Sequence, residues 1–331
     1  MHAFGHWNLR KAAAVAGLAL LATTSARSQP MRLAQTVELP SVTGRIDHLD
    51  IDLQGQRLFV AALGASSLEV IDLRAGQRTD RRTPFEEPQG VAYLPSRHRV
   101  VVASGGSGRV EAFGAAKSAV AVANQLEDAD NLRYDPRTDS ILVGYGRALA
   151  VLDPQSLAIR QRIELAGHPE AFELEPSGQR IFVNVPSAGH IAVIDRLRGV
   201  VATSWSLKGL AGNFAMALDE ASHRLFVATR RPARLLAYDT ESGRRVDEIE
   251  ICGDADDLFF DGRRRQLYAV CGEGRVDVIQ QRDADHYAVA ARVATAPGAR
   301  TGLFVPRLST LFVAVPARGG ASASVRVYTI E

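Results

Sequence analysis

Two cysteines among 331 residues, Cys252 and Cys271, are too few for a disulfide-stapled scaffold. Charge of one sign is also missing. The 39 Lys and Arg residues face 37 Asp and Glu, a net +2. Bulk charge therefore gives no support for nucleic-acid or anionic-membrane binding, which rests on a basic excess. No apolar run reaches the roughly 20 residues of a membrane-spanning helix. There is no G-x-S-x-G nucleophile elbow and no HxxH-type metal signature. The glycine-rich SGGSG at 104–108 joins two strand-like runs instead of opening a helix, so it reads as a hairpin loop, not a phosphate cradle. Sustained helical periodicity is absent beyond the first stretch, which excludes an α-solenoid and a doubly wound α/β sheet.

The first stretch has its own character. Arg10 and Lys11 precede an unbroken small or apolar run from Ala12 to Ala22, and small residues follow at Thr24, Ala26 and Ser28. This is the layout of a cleaved secretory signal peptide, read here as residues 1–28. The mature chain, 29–331, is then expected to be soluble in a periplasm or outside the cell. In that oxidising setting Cys252 and Cys271 are free to pair once.

What the sequence has in abundance is a repeat. RLFVA (57–61), RVVVA (99–103), SILVG (140–144), RIFVN (180–184), RLFVA (224–228), QLYAV (266–270) and TLFVA (310–314) recur at steps of 40 to 44 residues. Each is β-branched or aromatic, the composition of a buried strand. Turn-rich segments such as DLQGQ, DPRTD and EPSGQ precede them, and alternating strands lie before those turns. A third strand follows each core run, as in LEVIDL (68–73) and HIAVID (190–195), and several end in Asp. A more polar fourth strand comes next, as in RQRIELAG (160–167).

Seven copies of four antiparallel strands predict an all-β, seven-bladed β-propeller in one domain. The last copy supplies only three strands, ending in SVRVYTIE (324–331), and RLAQTVELP (32–40) resembles the missing one. The N-terminal strand is therefore expected to complete the last blade and remove an open sheet edge.

The pattern x-x-P-x-G-x-R-[LI]-[FY]-V followed by V-x-[VA]-[IL/Y]-D-x-x-x-G, best seen at Leu174–Gly199, resembles the YVTN-type repeat of YncE-like bacterial propellers. The resemblance covers nearly the whole mature chain. It implies the fold and export, while members of that group serve in binding, scaffolding and occasional catalysis, so function has to come from the site.

In a propeller the residues just before each inner strand ring the channel mouth. Aligned repeats place there Asp47 and His48, Gln89 and Gly90, Asp130 and Asn131, His168 and Glu170, Asn213 and Phe214, Asp254, Asp256 and Asp257, and Arg300 and Thr301. Loops on the same face add His190, Arg230, Arg231, Arg234 and Arg318. Polar groups converging on one concavity are the expected form of a ligand site. The alternative is that Asp, Asn and His cap free backbone groups at strand entries.

The leading expectation is an exported binding protein for a small-molecule, cell-envelope or protein ligand. His168, Glu170, Asn131, Asn213, Arg231 and Asp257 are its ligand contacts. The second is a metal-dependent lactonase or other hydrolase. In it Asp47, Asn131, Asn213 and Asp256 hold a divalent cation of Ca or Zn type, His48 shuttles a proton and Arg300 orients an anionic group. That ligand ring is similar to the one in gluconolactonase-like propellers, which have six blades instead of seven. Cys252 ends an outer strand just before the sixth inner strand, and Cys271 ends the second strand of the same blade, so a Cys252–Cys271 disulfide is expected. Buried thiols or soft copper ligands are the alternatives.

Overall fold

The computed structural model describes residues 30–116 and 118–331. The segment read as a signal peptide lies outside the described residues. The chain forms seven four-stranded antiparallel sheets. The first N-terminal strand is β1 (Met31–Leu39). Blade one holds β2 (Leu49–Asp52), β3 (Arg57–Ala62), β4 (Ser67–Asp72) and β5 (Gln77–Arg82), and blade two holds β6 (Pro88–Leu94) to β9 (Ala119–Ala123). Blade three runs from β10 (Leu132–Asp135) to β13 (Ile159–Glu164), and blade four from β14 (Phe172–Leu174) to β17 (Val200–Ser206). Blade five spans β18 (Ala211–Asp219) to β21 (Arg245–Glu250), and blade six β22 (Ala255–Asp261) to β25 (Tyr287–Ala294). The seventh comprises β26 (Gly302–Val305), β27 (Thr310–Val315) and β28 (Ala323–Ile330).

The seventh sheet has the order β1-β28-β27-β26, with Met31 opposite Ile330 and Leu39 opposite Ala323. The N-terminal strand thus closes the ring as the repeat count predicts, and it starts one residue earlier than RLAQTVELP. Closure covers the free edge that β28 would otherwise expose.

The second strand of each blade carries the core. β3 is buried at all positions after Arg57, and β27 along its whole length. Among the described residues the buried apolar side chains fall into seven clusters, and each joins two neighbouring blades. One cluster packs β1, blade one and blade seven together through Val37, Leu58, Phe312 and Val325. No blade buries both faces alone, so the apolar runs specify a ring and not seven independent sheets.

The Asp residues that end third strands act locally. Asp195 Oδ1 accepts the N–H groups of Leu197 and Arg198 at 3.0 Å each, and the Gly199 N–H bonds the Asp195 carbonyl at 2.8 Å. Gly199 has φ +62°, the left-handed region that favours glycine, which explains the D-x-x-x-G spacing. Blade six carries the expected disulfide, with Cα atoms 5.9 Å apart and both residues fully buried. Among the described residues no helix is long and apolar enough to cross a membrane.

Candidate ligand site at the channel mouth

Backbone bonds within and between blades fix the inner-strand entries. The Asp47 N–H bonds the Ala61 carbonyl at 2.8 Å, the His48 N–H reaches the Gln89 carbonyl at 3.3 Å, and the Asp130 N–H bonds Gly144 at 2.9 Å. A Cβ at Gly90 would stand 2.1 Å from the Asp130 carbonyl oxygen, so only glycine lets blades two and three approach here. Side chains at these rigid entries converge on a cavity of about 160 Å³. Its walls include Arg45, Gln89, Asp130, His168, Glu170, Phe214, Arg230, Asp256 and Arg300.

Two guanidinium groups share one carboxylate there. Arg230 Nη2 lies 2.5 Å from Asp256 Oδ1, and Arg300 Nε lies 3.0 Å from Asp256 Oδ2. The Arg230 guanidinium also sits 3.9 Å above the Phe214 ring, a cation–π contact that holds its plane. Arg45 pairs with Asp47 at 2.8 Å. On the opposite wall His168 Nδ1 lies 3.1 Å from the Gly146 carbonyl and 3.4 Å from Asp128 Oδ2.

His48 lies one layer deeper. Its Nε2 is 3.8 Å from Asp47 and 3.7 Å from Asp130, and its Nδ1 is 3.9 Å from Asp257. His48 and Asp257 line a second cavity of about 590 Å³, with Asp50, Arg133, Glu173 and inner-strand aromatics such as Tyr93 and Phe304. This larger space is less suggestive of a ligand. Two of its acids are already committed to inner-strand edges: Asp50 Oδ2 accepts the Tyr93 N–H at 2.6 Å, and Asp257 Oδ2 the Gly302 N–H at 2.8 Å. At the mouth, by contrast, Asp130 Oδ1 is buried and receives no hydrogen bond. Such an atom is costly unless something donates to it.

Burial sets the proton affinities. It pushes the Glu170 carboxyl up to about 8, helped by the nearby Asp130 charge. Asp47 rises to about 7, again through burial, with His48 and Arg45 opposing and Asp130 reinforcing. Burial likewise raises Asp257, and it raises Asp50 to about 6. His48 and His168 respond in the other sense. Burial disfavours their charge, but Asp47, Asp257 and Asp130 around the first, and Asp130, Asp128 and Glu170 around the second, raise both imidazoles. Burial thus favours the protonated form of Glu170.

The expected residues are divided among several places. His168, Glu170, Asp256 and Arg300 meet at the mouth cavity. His48 and Asp257 do not line it, so His48 and Arg300 do not share a chamber. Asn213 ties blades together, its amide donating at 3.0 Å to Asn184 Oδ1 and to the His190 carbonyl. Asn131 is 2% exposed and outside the cavity wall. Arg231 is exposed beyond the rim, and its neighbour Arg230 is the one that turns inward. Arg234 pairs with Glu248 and Glu250 on the outer strands.

The two carboxylates of the expected cation set are already paired with arginines. Asp256 is clamped by two arginines and Asp47 is paired with Arg45, while the oxygens of Asn131 and Asn213 are buried without a hydrogen bond. Among the described residues no group of three or more His, Cys, Asp or Glu gathers as a metal site. Arg45 and Asp128 were missed by sequence reasoning. Both stand two residues before an entry acid, as His168 does before Glu170 and Asp254 before Asp256, so the repeat register carried the signal.

No family model matches the chain, and no curated protein matches it by sequence. Solved structures do. A chain of Kuenenia stuttgartiensis hydrazine synthase superposes with a TM-score of 0.72 at 15% identity, covering 84% of this chain and 94% of that one. A chain in the crystal structure of a mitotic checkpoint complex gives 0.76 at 11% identity, over 98% and 99% of the two chains. At these identities the likeness shows the fold alone, and the fold is a seven-bladed β-propeller.

Proposed function

We propose that this chain is an exported β-propeller that binds a small polar ligand at the channel mouth. The observation that carries the reading is the unsatisfied Asp130 Oδ1 in the wall of a cavity that Glu170 and a set of guanidinium groups also line. A structure pays several kcal/mol to bury such groups, and a ligand that pairs with them recovers that cost. The YncE-like repeat and the leader-like first residues support export, and the Cys252–Cys271 disulfide is compatible with an oxidising compartment. Propellers such as the one in the mitotic checkpoint complex work within protein assemblies, but the concave, charged mouth here favours a small ligand over a protein surface.

The lactonase reading has no assembled cation site behind it, so no hydrolytic step is derived. Both readings meet one experiment. A thermal-shift screen of polar small molecules, run with and without chelator, is paired with a lactone and ester turnover screen. Binding predicts a shift independent of chelator and lost in Arg230→Met/Arg300→Met. Chelator-sensitive turnover abolished by His48→Ala would overturn the reading in favour of catalysis.

A further inference from the structure

The charges at the mouth are not evenly spent. Arg230 is held on three sides, by Asp256, by the Ala255 carbonyl at 3.2 Å and by the Phe214 ring. Arg45 has one short ion pair, to Asp47, and its side chain is 40% exposed. Arg300 leans on Asp256 and on Asp254, and the latter is itself 42% exposed at the rim. Exposed pairs of that kind are weak and readily exchanged. Arg45 and Arg300 therefore keep donors for a ligand.

In the same cavity, Asp130 is 5% exposed, its Oδ1 receives no hydrogen bond, and His48 Nε2 lies 3.7 Å from that atom. Glu170 and Asp128 line the same cavity. A simple anion would meet Arg45 and Arg300 but face Asp128 and Asp130. A simple cation would meet Asp130 but face the guanidinium groups. A neutral polyol would leave both charge sets uncompensated. The volume of about 160 Å³ is below the roughly 300–1,000 Å³ of sites for drug-sized ligands, so the occupant is small.

Building on the mouth as a ligand site, we propose that it takes a small zwitterion of free amino-acid size. The carboxylate lies toward Arg45 and Arg300, and the ammonium group toward Asp130. Guanidinium–carboxylate and ammonium–carboxylate bonds are the strong, charge-assisted kind, and the two ends of such a ligand reproduce the polarity of the cavity.

The test is calorimetric titration of the full chain at pH 7 with glycine, alanine and glutamate, against glycolate, acetate and methylamine. An amino acid is expected to bind about tenfold or more tightly than glycolate, since one charged hydrogen bond separates them. Asp130→Asn is expected to weaken the amino acid by a similar factor and to leave acetate within about twofold. Arg300→Gln weakens both, and a retained urea midpoint shows that each variant folds. The glycine–glycolate comparison needs no variant. Glycolate equal to glycine, or an amino acid indifferent to Asp130→Asn, would overturn the zwitterion and leave a simple anion site at the mouth. Silence from all six compounds would overturn it as well. The broader reading falls only if the polar-ligand screen is also silent.

Discussion

Glu170 shows how a single side chain reports on its surroundings. Its carboxyl is pushed up to about 8 by burial and by Asp130, while the same group in an unfolded chain titrates near 4. Between those values the folded state holds a proton that the unfolded state has released, so this contribution is fully present below about pH 4 and is lost as pH rises through 8. Asp47 at about 7 and Asp50 at about 6 act in the same direction lower in the range. The melting temperature is therefore expected to fall from about pH 5 to 8. Glu170→Gln should flatten the decline between about pH 5 and 8, as measured by calorimetry across buffers; an unchanged slope would mean that Glu170 is ionised in the folded protein. Acids paired at the surface have the opposite sign. Asp139, lowered chiefly by its bond from Arg97, stabilises above its unfolded value and loses that effect in acid.

Residue type at the strand entries was legible because the repeat aligns them, and His168, Glu170, Asp256 and Arg300 were found that way. Direction was not. Asp256 carries oxygen atoms suited to a cation, yet two arginines claim them, and Asn213 spends its amide nitrogen on Asn184 Oδ1 while its own oxygen receives no hydrogen bond. A neighbour 29 residues away in sequence, as Asn184 is from Asn213, leaves no local mark. Arg230 and Arg231 are adjacent letters on a strand, and alternation sends them to opposite sides.

At the scale of elements, two features make separate predictions. The disulfide closes a loop between residues 19 apart in blade six, where both sulfurs sit in a core shared with blade five. In the chain-entropy picture Cys252→Ser/Cys271→Ser costs about 3 kcal/mol, to be read from urea denaturation. A loss under about 1 kcal/mol would mean that packing, not the cross-link, holds this end of the blade. Strand β1 buries Met31, Val37 and Leu39 and covers the edge of β28. Deleting residues up to 40 is expected to lower the melting temperature and to drive self-association through the bared edge, visible by light scattering. A monomer of unchanged stability would contradict the closure.

The whole molecule is a closed ring whose cohesion lies between blades. Seven inter-blade clusters follow directly from strand runs buried on both faces, and this is why the fold could be read so far from any relative. The ring also explains the two cavities. Inner-strand edges leave backbone N–H groups facing the axis, and Asp50 and Asp257 satisfy them, which makes the deeper channel structural. The mouth keeps Asp130 Oδ1 without a hydrogen bond. The most direct measurement is therefore a crystal structure of the protein with the small molecule that gives the largest thermal shift. Ligand density is expected in the mouth cavity within hydrogen-bond distance of Arg300 and Asp130. Density confined to the deeper channel beside Asp50 and Glu173, with the mouth filled only by solvent, would contradict it.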